Sequence, residues 1–172
     1  QKLYFTCINY DTPKGVFEDQ QIAKEELKNY HALLVTGIAS PKQMEHDLKP
    51  MVKSMQSLSF GDHHRFKNKD ITRINEAFEQ MPEPRLIITT EKDAVRLKET
   101  EGLYEIVKKS IYELPIKVSF MLEQEDNFND KIISYVRKNS RNSILAKRKD
   151  DNKSEDSNHT GNRSRTISFR NN

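Results

Sequence analysis

Nothing in this sequence offers a phosphate-cradling glycine loop, a disulfide framework or a membrane span. Its five glycines stand apart at positions 15, 37, 61, 102 and 161, so no two combine into a loop of the P-loop type. A single cysteine, Cys7, excludes an internal disulfide and fits a reducing compartment. It sits in an apolar run, without the basic neighbour that activates a nucleophilic thiol. No apolar run exceeds four residues, too short to cross a bilayer, and no charged stretch leads into an apolar one as in a signal peptide. Apolar residues make up 34% of the chain and charged residues 32%. A compact domain averages roughly 45–50% apolar with glycine counted, so part of the chain is expected to lie outside any core.

The net charge of +3 is unevenly spread. Residues 140–172 hold 8 Lys and Arg against 4 Asp and Glu, while residues 1–139 hold 21 against 22. The basic character therefore belongs to the tail, and no nucleic-acid partner is expected for the fold. The first residue is Gln, and a strand-like run begins at once, as in a piece of something longer.

Hydrophobic periodicity divides the rest. Leu3–Asn9 reads as a strand followed by the turn Asp11–Gly15, with Val16-Phe17 a short returning strand. Helical spacing over Glu18–Tyr30 precedes a buried strand at Ala32–Ala39. Ser40 suits an N-cap and Pro41 the first turn of a helix reaching Met55, broken near Pro50. Ser57–Phe60 is a short strand, Asp70–Met81 a helix and Leu86–Thr90 a buried strand. Thr90-Glu91-Lys92-Asp93 has the form of a capping box. Leu103–Ile111 reads as helix, Ile116–Leu122 as the last core strand, and Phe128–Val136 as a terminal amphipathic helix. Helices that alternate with strands predict an α/β fold: three α/β/α layers around a mostly parallel sheet. The expected divisions are a linker hairpin at 1–17, a lobe at 18–138 and a polar, basic, disordered tail at 139–172.

Polar residues follow each of three core strands: Thr36-Gly37-Ile38-Ala39-Ser40, then Asp62-His63-His64, then Thr89-Thr90-Glu91-Lys92-Asp93. Ligands of parallel sheets bind outside the carboxyl ends of the strands. Thr36, Gly37, Ser40, Thr89, Thr90, Glu91, Lys92 and Asp93 are thus expected to line one cleft, although Thr90 and Asp93 would serve equally as helix caps. Arg96 would pair with Asp93 or Glu99, or reach an anionic ligand. Asp62-His63-His64 allows three readings: a metal site, a histidine oriented by a carboxylate for proton transfer, or one buried and one solvated histidine without catalytic role. Neighbouring histidines on an extended strand point to opposite faces, so a shared metal is disfavoured and no metal site is expected.

Taken together, LLVTGIASP, LSFGDHHRF, KNKDI and LIITTEKDAVRL resemble the C-terminal half of the tetraacyldisaccharide 4'-kinase family, over about residues 1–138. QKLYFTCINY resembles the strand by which that family enters the lobe. The resemblance implies a Rossmann-like lobe of a P-loop-type kinase of lipid A biosynthesis. Such an enzyme transfers the ATP γ-phosphate to the 4'-hydroxyl of a tetraacylated disaccharide 1-phosphate at the cytoplasmic face of the inner membrane. ATP and Mg would be held by an N-terminal lobe, and these 172 residues alone are expected to be inactive. A histidine of the DHH string, His63 in preference to His64, would complete a dyad with an aspartate of that other lobe. The alternatives are a non-catalytic α/β interaction module and a DHH-type phosphoesterase. Arg137, Lys138, Arg141, Lys147, Arg148 and Lys149, beside Phe128, Ile132, Tyr135 and Val136, would give the tail a basic contact with an anionic membrane surface.

Overall fold

The computed structural model describes residues 2–155, with the side-chain surroundings of residues 2–140. Two compact units result. One is continuous, Thr6–Ser119; the other joins the N-terminal residues through Phe5 to the chain from Phe120 onward.

The larger unit is built on a five-stranded sheet. Its strands are β2 (Lys14–Gly15), β3 (His31–Thr36), β4 (Ser54–Ser59), β5 (Arg85–Thr89) and β6 (Ile111–Glu113), in the spatial order β2-β6-β5-β3-β4. All neighbours are parallel except β2 on β6. At the centre, Leu34 of β3 lies opposite Ser57 on one side and Ile88 on the other. Residues 32–36 are all buried, as a strand covered on both faces requires. The pleat sends Leu33, Val35 and Ile87 to one face and Ala32, Leu34, Leu86 and Ile88 to the other.

Each face is covered. The first packs against Ile71, Ile74 and Phe78 of α2 (Asn68–Glu79), Ala94 and Leu97 of α3 (Glu91–Lys98), and Val107 of α4 (Glu105–Lys108). The second packs against Met44 and Leu48 of α1 (Lys42–Leu48) and Leu27 of a 3₁₀ turn at Lys24–Asn29. The architecture is therefore three-layered α/β/α, mostly parallel. The helix after β3 and the helix after β5 take opposite faces, so a crevice opens between the carboxyl ends of these adjacent strands.

Several elements differ from the sequence reading. Ile116–Leu122 is not the last core strand. Residues Ile116–Phe120 form β7, which pairs with β1 (Thr6–Tyr10) in a separate two-stranded ribbon. The alternation in Ile-Lys-Val-Ser-Phe fits a ribbon with an open face, whereas the core place goes to Ile111-Tyr112, buried on opposite faces. The helix expected over 103–111 shrinks to α4, because Ile111–Glu113 is taken up by pairing with β5. The returning strand is β2, two residues earlier than Val16-Phe17, and β1 does not pair with it. Glu18–Tyr30 yields only the 3₁₀ turn, since Gly15, Gln20 and Gln21 are held in a tight reversal. The helix after Pro41 ends at Leu48, with a 3₁₀ turn at Lys49–Met51 around Pro50, so β4 starts at Ser54 rather than Ser57. Pro41, not Ser40, holds the N-cap position of α1, and no side chain caps it.

In the smaller unit, α5 (Glu125–Glu155) follows β7. Tyr4 packs edge-on against Phe128 at 5.2 Å, and Phe120 lies 4.8 Å from Phe128. The Tyr4 hydroxyl donates to Asn127 and the Phe5 N–H to the Gln124 side chain. The helix continues well past residue 139, where a disordered tail was expected. Its Lys, Arg, Leu and Ala residues have helical propensity that the low apolar content did not register. The rest of that expected tail, 156–172, lies outside the described residues.

Candidate functional site

Thr36 and Thr89 close β3 and β5 and are fully buried. The Thr89 hydroxyl donates to the Val35 carbonyl at 2.8 Å. The Thr36 hydroxyl has no partner among the described residues. Immediately beyond, the Gly37 N–H donates to Asp93 Oδ2 at 2.8 Å. Space at Gly37 is tight: a Cβ would come within 3.1 Å of Asp93 Oδ1 and 3.3 Å of the His64 Cβ, so both would have to give by a few tenths of an ångström.

Asp93 is the hub. It is fully buried, which costs a carboxylate heavily unless donors replace its water. The Thr90 hydroxyl supplies one at 2.8 Å, and Arg96 Nη1 pairs with Oδ1 at 2.8 Å. Thr90 also caps α3 by accepting the Asp93 N–H at 3.1 Å. The cap and the strand-end cluster are thus one structure. Arg96 Nη2 in turn stands 3.4 Å from His63 Nδ1. Through Asp93 and Arg96, the loops after β3, β4 and β5 meet at one edge of the sheet.

The two histidines differ sharply. His64 is partly buried, stacks on Phe60 with ring centroids 4.9 Å apart, and bonds Asp70 Oδ2 through Nε2 at 2.9 Å. Asp70 also accepts the Lys67 N–H at 2.9 Å. Burial alone would raise the Asp70 carboxyl, but the Lys67 N–H and the His64 ring outweigh it and hold it below its ordinary value. His63 is exposed, with φ of 55° in the left-handed region. Asp62 accepts its N–H at 3.0 Å and lies 3.6 Å from Nε2. An arginine can only donate, so a neutral His63 accepts at Nδ1 and carries its proton on Nε2.

The expected single cleft is divided into two concavities. Ser40, Thr90, Glu91 and Lys92 border an apolar one of about 330 Å³, walled by residues such as Ile38 and Met44. His63 and Arg96 border a polar one of about 610 Å³, with Arg65 and Thr100. Among the described residues no group of three His, Cys, Asp or Glu could hold a metal ion.

Residues 6–137 match the family described as LpxK, tetraacyldisaccharide-1-P 4'-kinase. The chain belongs to this family. It is 47% identical over 146 residues to the tetraacyldisaccharide 4'-kinase of Phocaeicola vulgatus, covering 83% of this chain and 40% of that protein. With the Bacteroides fragilis protein of the same name it shares 42% over 160 residues, covering 90% of this chain and 43% of the other. The chain therefore spans about two fifths of the length of the curated relatives it matches. Among solved structures it is similar to an "apo" form of LpxK from Aquifex aeolicus in complex with ATP. There the identity is 17% and the TM-score 0.45, over 71% of this chain and 33% of that one. No described helix is long and apolar enough to cross a membrane.

Three participants escaped sequence reasoning as site residues. Asp70 orients His64, and its place in the first turn of α2, six residues beyond His64, was the available signal. Arg65 and Thr100 carried none, since only the fold brings the loop after β4 beside the end of α3.

Proposed function

We propose that this chain is the C-terminal part of a tetraacyldisaccharide 4'-kinase, in which the whole protein transfers the ATP γ-phosphate to the 4'-hydroxyl of a tetraacyldisaccharide 1-phosphate. The observation that carries the reading is the Asp93–Arg96–His63 linkage across three strand-end loops, in a chain of this family. The glycines of this chain stand singly, which does not fit the phosphate cradle of a P-loop that would take Mg and a triphosphate. Those groups would be held by residues outside this sequence, and the isolated chain is inactive in this reading.

The part played here is proton handling. His63 presents Nε2 to solvent beside Asp62, with Arg96 behind Nδ1. With its proton on Nε2, His63 is a donor there, suited to hold in place a carboxylate base supplied elsewhere in the protein, and it is that carboxylate which takes the acceptor hydroxyl proton. His64, tied to Asp70 and Phe60, supports the loop that carries His63. Action at the cytoplasmic face of the inner membrane follows from the same reading, because the acceptor is a membrane lipid.

The test is kinetic. In the full-length protein, His63→Ala should lower kcat by about 10²–10⁴-fold with little change in KM, the usual range for a lost acid–base group. Unchanged turnover would remove His63 from the mechanism and leave Asp62-His63-His64 as a structural turn.

A further inference from the structure

We propose that Arg96, anchored by Asp93, is a positioning residue that acts through His63: it holds the ring in one orientation with its proton on Nε2. This deepens the reading above and rests on it for the reaction that His63 serves. The hold on the ring is a property of this chain.

The guanidinium of Arg96 is divided between two tasks. Nη1 donates to Asp93 Oδ1 at 2.8 Å and lies 3.5 Å from the Gly37 carbonyl, so both of its hydrogens are directed inward. Nη2 is left for His63 Nδ1, at 3.4 Å. The inner end is fixed for a physical reason. Asp93 is fully buried and also accepts the Gly37 N–H and the Thr90 hydroxyl, both at 2.8 Å. A buried carboxylate with that set of donors has one position, and the planar fork bound to it has one plane.

Order then passes outward along a gradient of exposure. The Asp93 side chain is 0% exposed, that of Arg96 20% and that of His63 71%. An exposed histidine on a turn has little packing to hold its ring. Asp62, its neighbour in sequence, accepts the His63 N–H at 3.0 Å through Oδ1 and stands 3.6 Å from Nε2 through Oδ2. Among the described residues, the ring's hydrogen-bond partner from another element is Arg96. An arginine has no lone pair to offer, so Nδ1 is the accepting nitrogen and Nε2 keeps the proton. His64 needs no such help, because stacking on Phe60 and the bond to Asp70 already fix its ring. If Arg96 served Asp93 alone, its loss and the loss of His63 would be independent; a positioning role makes them one effect.

The first readout is the tautomer of the neutral ring, followed by long-range proton–nitrogen NMR on the isotopically labelled 172-residue chain at about pH 9, above the range in which a histidine ordinarily carries charge. Wild-type His63 is expected with Nδ1 bare and Nε2 protonated. Arg96→Gln has an amide to donate to Asp93 but no second nitrogen for His63. In that variant the two ring nitrogen signals should move toward each other, Arg96→Lys should return them most of the way, and the His64 signals should stay in place. The second readout is turnover of the full-length protein. Arg96→Gln should lower kcat by about ten- to hundredfold, the span of a coupling between residues in contact, with KM little changed. Combined with His63→Ala it should cost nothing further. A mixed tautomer in the wild type, ring signals unmoved in Arg96→Gln, or losses that multiply in the double variant would overturn the proposal. The wild-type spectrum decides even if Arg96→Gln fails to fold. Turnover of His63→Ala tests the kinase reading, and the tautomer in this chain tests the hold of Arg96, so the two can fail separately.

Discussion

Two concavities a few residues apart at the same sheet edge are built on opposite principles. The polar one, around His63 and Arg96, is organised by a buried charge: Asp93 gathers Gly37, Thr90 and Arg96, and Arg96 carries the order outward to His63. The apolar one has no such hub. Its polar groups either neutralise one another, as Tyr10, Gln43 and Asp47 do, or stand at the rim. The first is a place where orientation matters and the second a place where only shape and dryness matter. They also share α3, since Thr90 and Asp93 hold its first turn between them.

The largest expected effect falls on the hub. Asp93→Ala leaves Arg96 without its partner and the Gly37 N–H without its acceptor. Breaking a buried pair costs about 3–5 kcal/mol, and because Arg96 is one-fifth exposed the loss should lie near the lower end. Urea unfolding of the chain measures it. A loss below about 1 kcal/mol would mean that the two concavities are not held by a common post.

A smaller effect separates the histidines. His64→Ala removes a hydrogen bond to a carboxylate, a class worth about 1.5–3 kcal/mol. His63→Ala, at an exposed turn, should stay within about 0.5 kcal/mol. Stability should therefore follow His64 and turnover His63; the reverse order would exchange their roles.

The acid limb of stability tests the support of His64. Asp70 in the folded chain lies below its ordinary value of 3.8. Its contribution is therefore complete above that value and is lost as the pH falls through the lower folded value. Asp70→Asn should flatten the acid limb in that window. An unchanged limb would show that Asp70 does not ionise in support of this loop.

The smallest effect concerns the apolar side. Burial, and then the Asp47 carboxylate, push the Tyr10 hydroxyl up to about 12 from 10.0. Its contribution is complete below 10 and is lost as the pH rises toward 12, because the unfolded chain ionises first. Tyr10→Phe should cost about 1 kcal/mol at neutral pH and remove that alkaline loss. A variant that keeps the full alkaline slope would place its origin elsewhere, for instance at Tyr112, whose hydroxyl is also pushed up by burial.

Local chemistry alone was enough for much of this molecule. The continuous apolar runs at Leu33 and Ile87 could only be strands buried on both faces, and their alternation with helices could only close as a layered parallel sheet. Thr90 had to cap, because a hydroxyl three residues before a helical N–H has few better options. What failed was whatever depended on competition between segments. Ile111 was read as the end of a helix and Ile116–Leu122 as the last core strand, yet it is Ile111–Glu113 that pairs with β5. Pro115, which has no N–H, stands between them, so one became a core strand and the other a ribbon.

The sequence by itself determined the fold class, the family and the three strand-end clusters, since periodicity and motif spacing are properties of neighbours along the chain. Only the tertiary structure decided how those clusters are used. It drew Asp93 inside to serve three loops, gave Asp70 to His64 and Arg96 to His63, and split the expected cleft into a polar and an apolar half. The physical reason is that hydrogen bonds and burial act over a few ångströms in space. The 56 positions between Gly37 and Asp93 become one such distance only when β3 and β5 lie side by side.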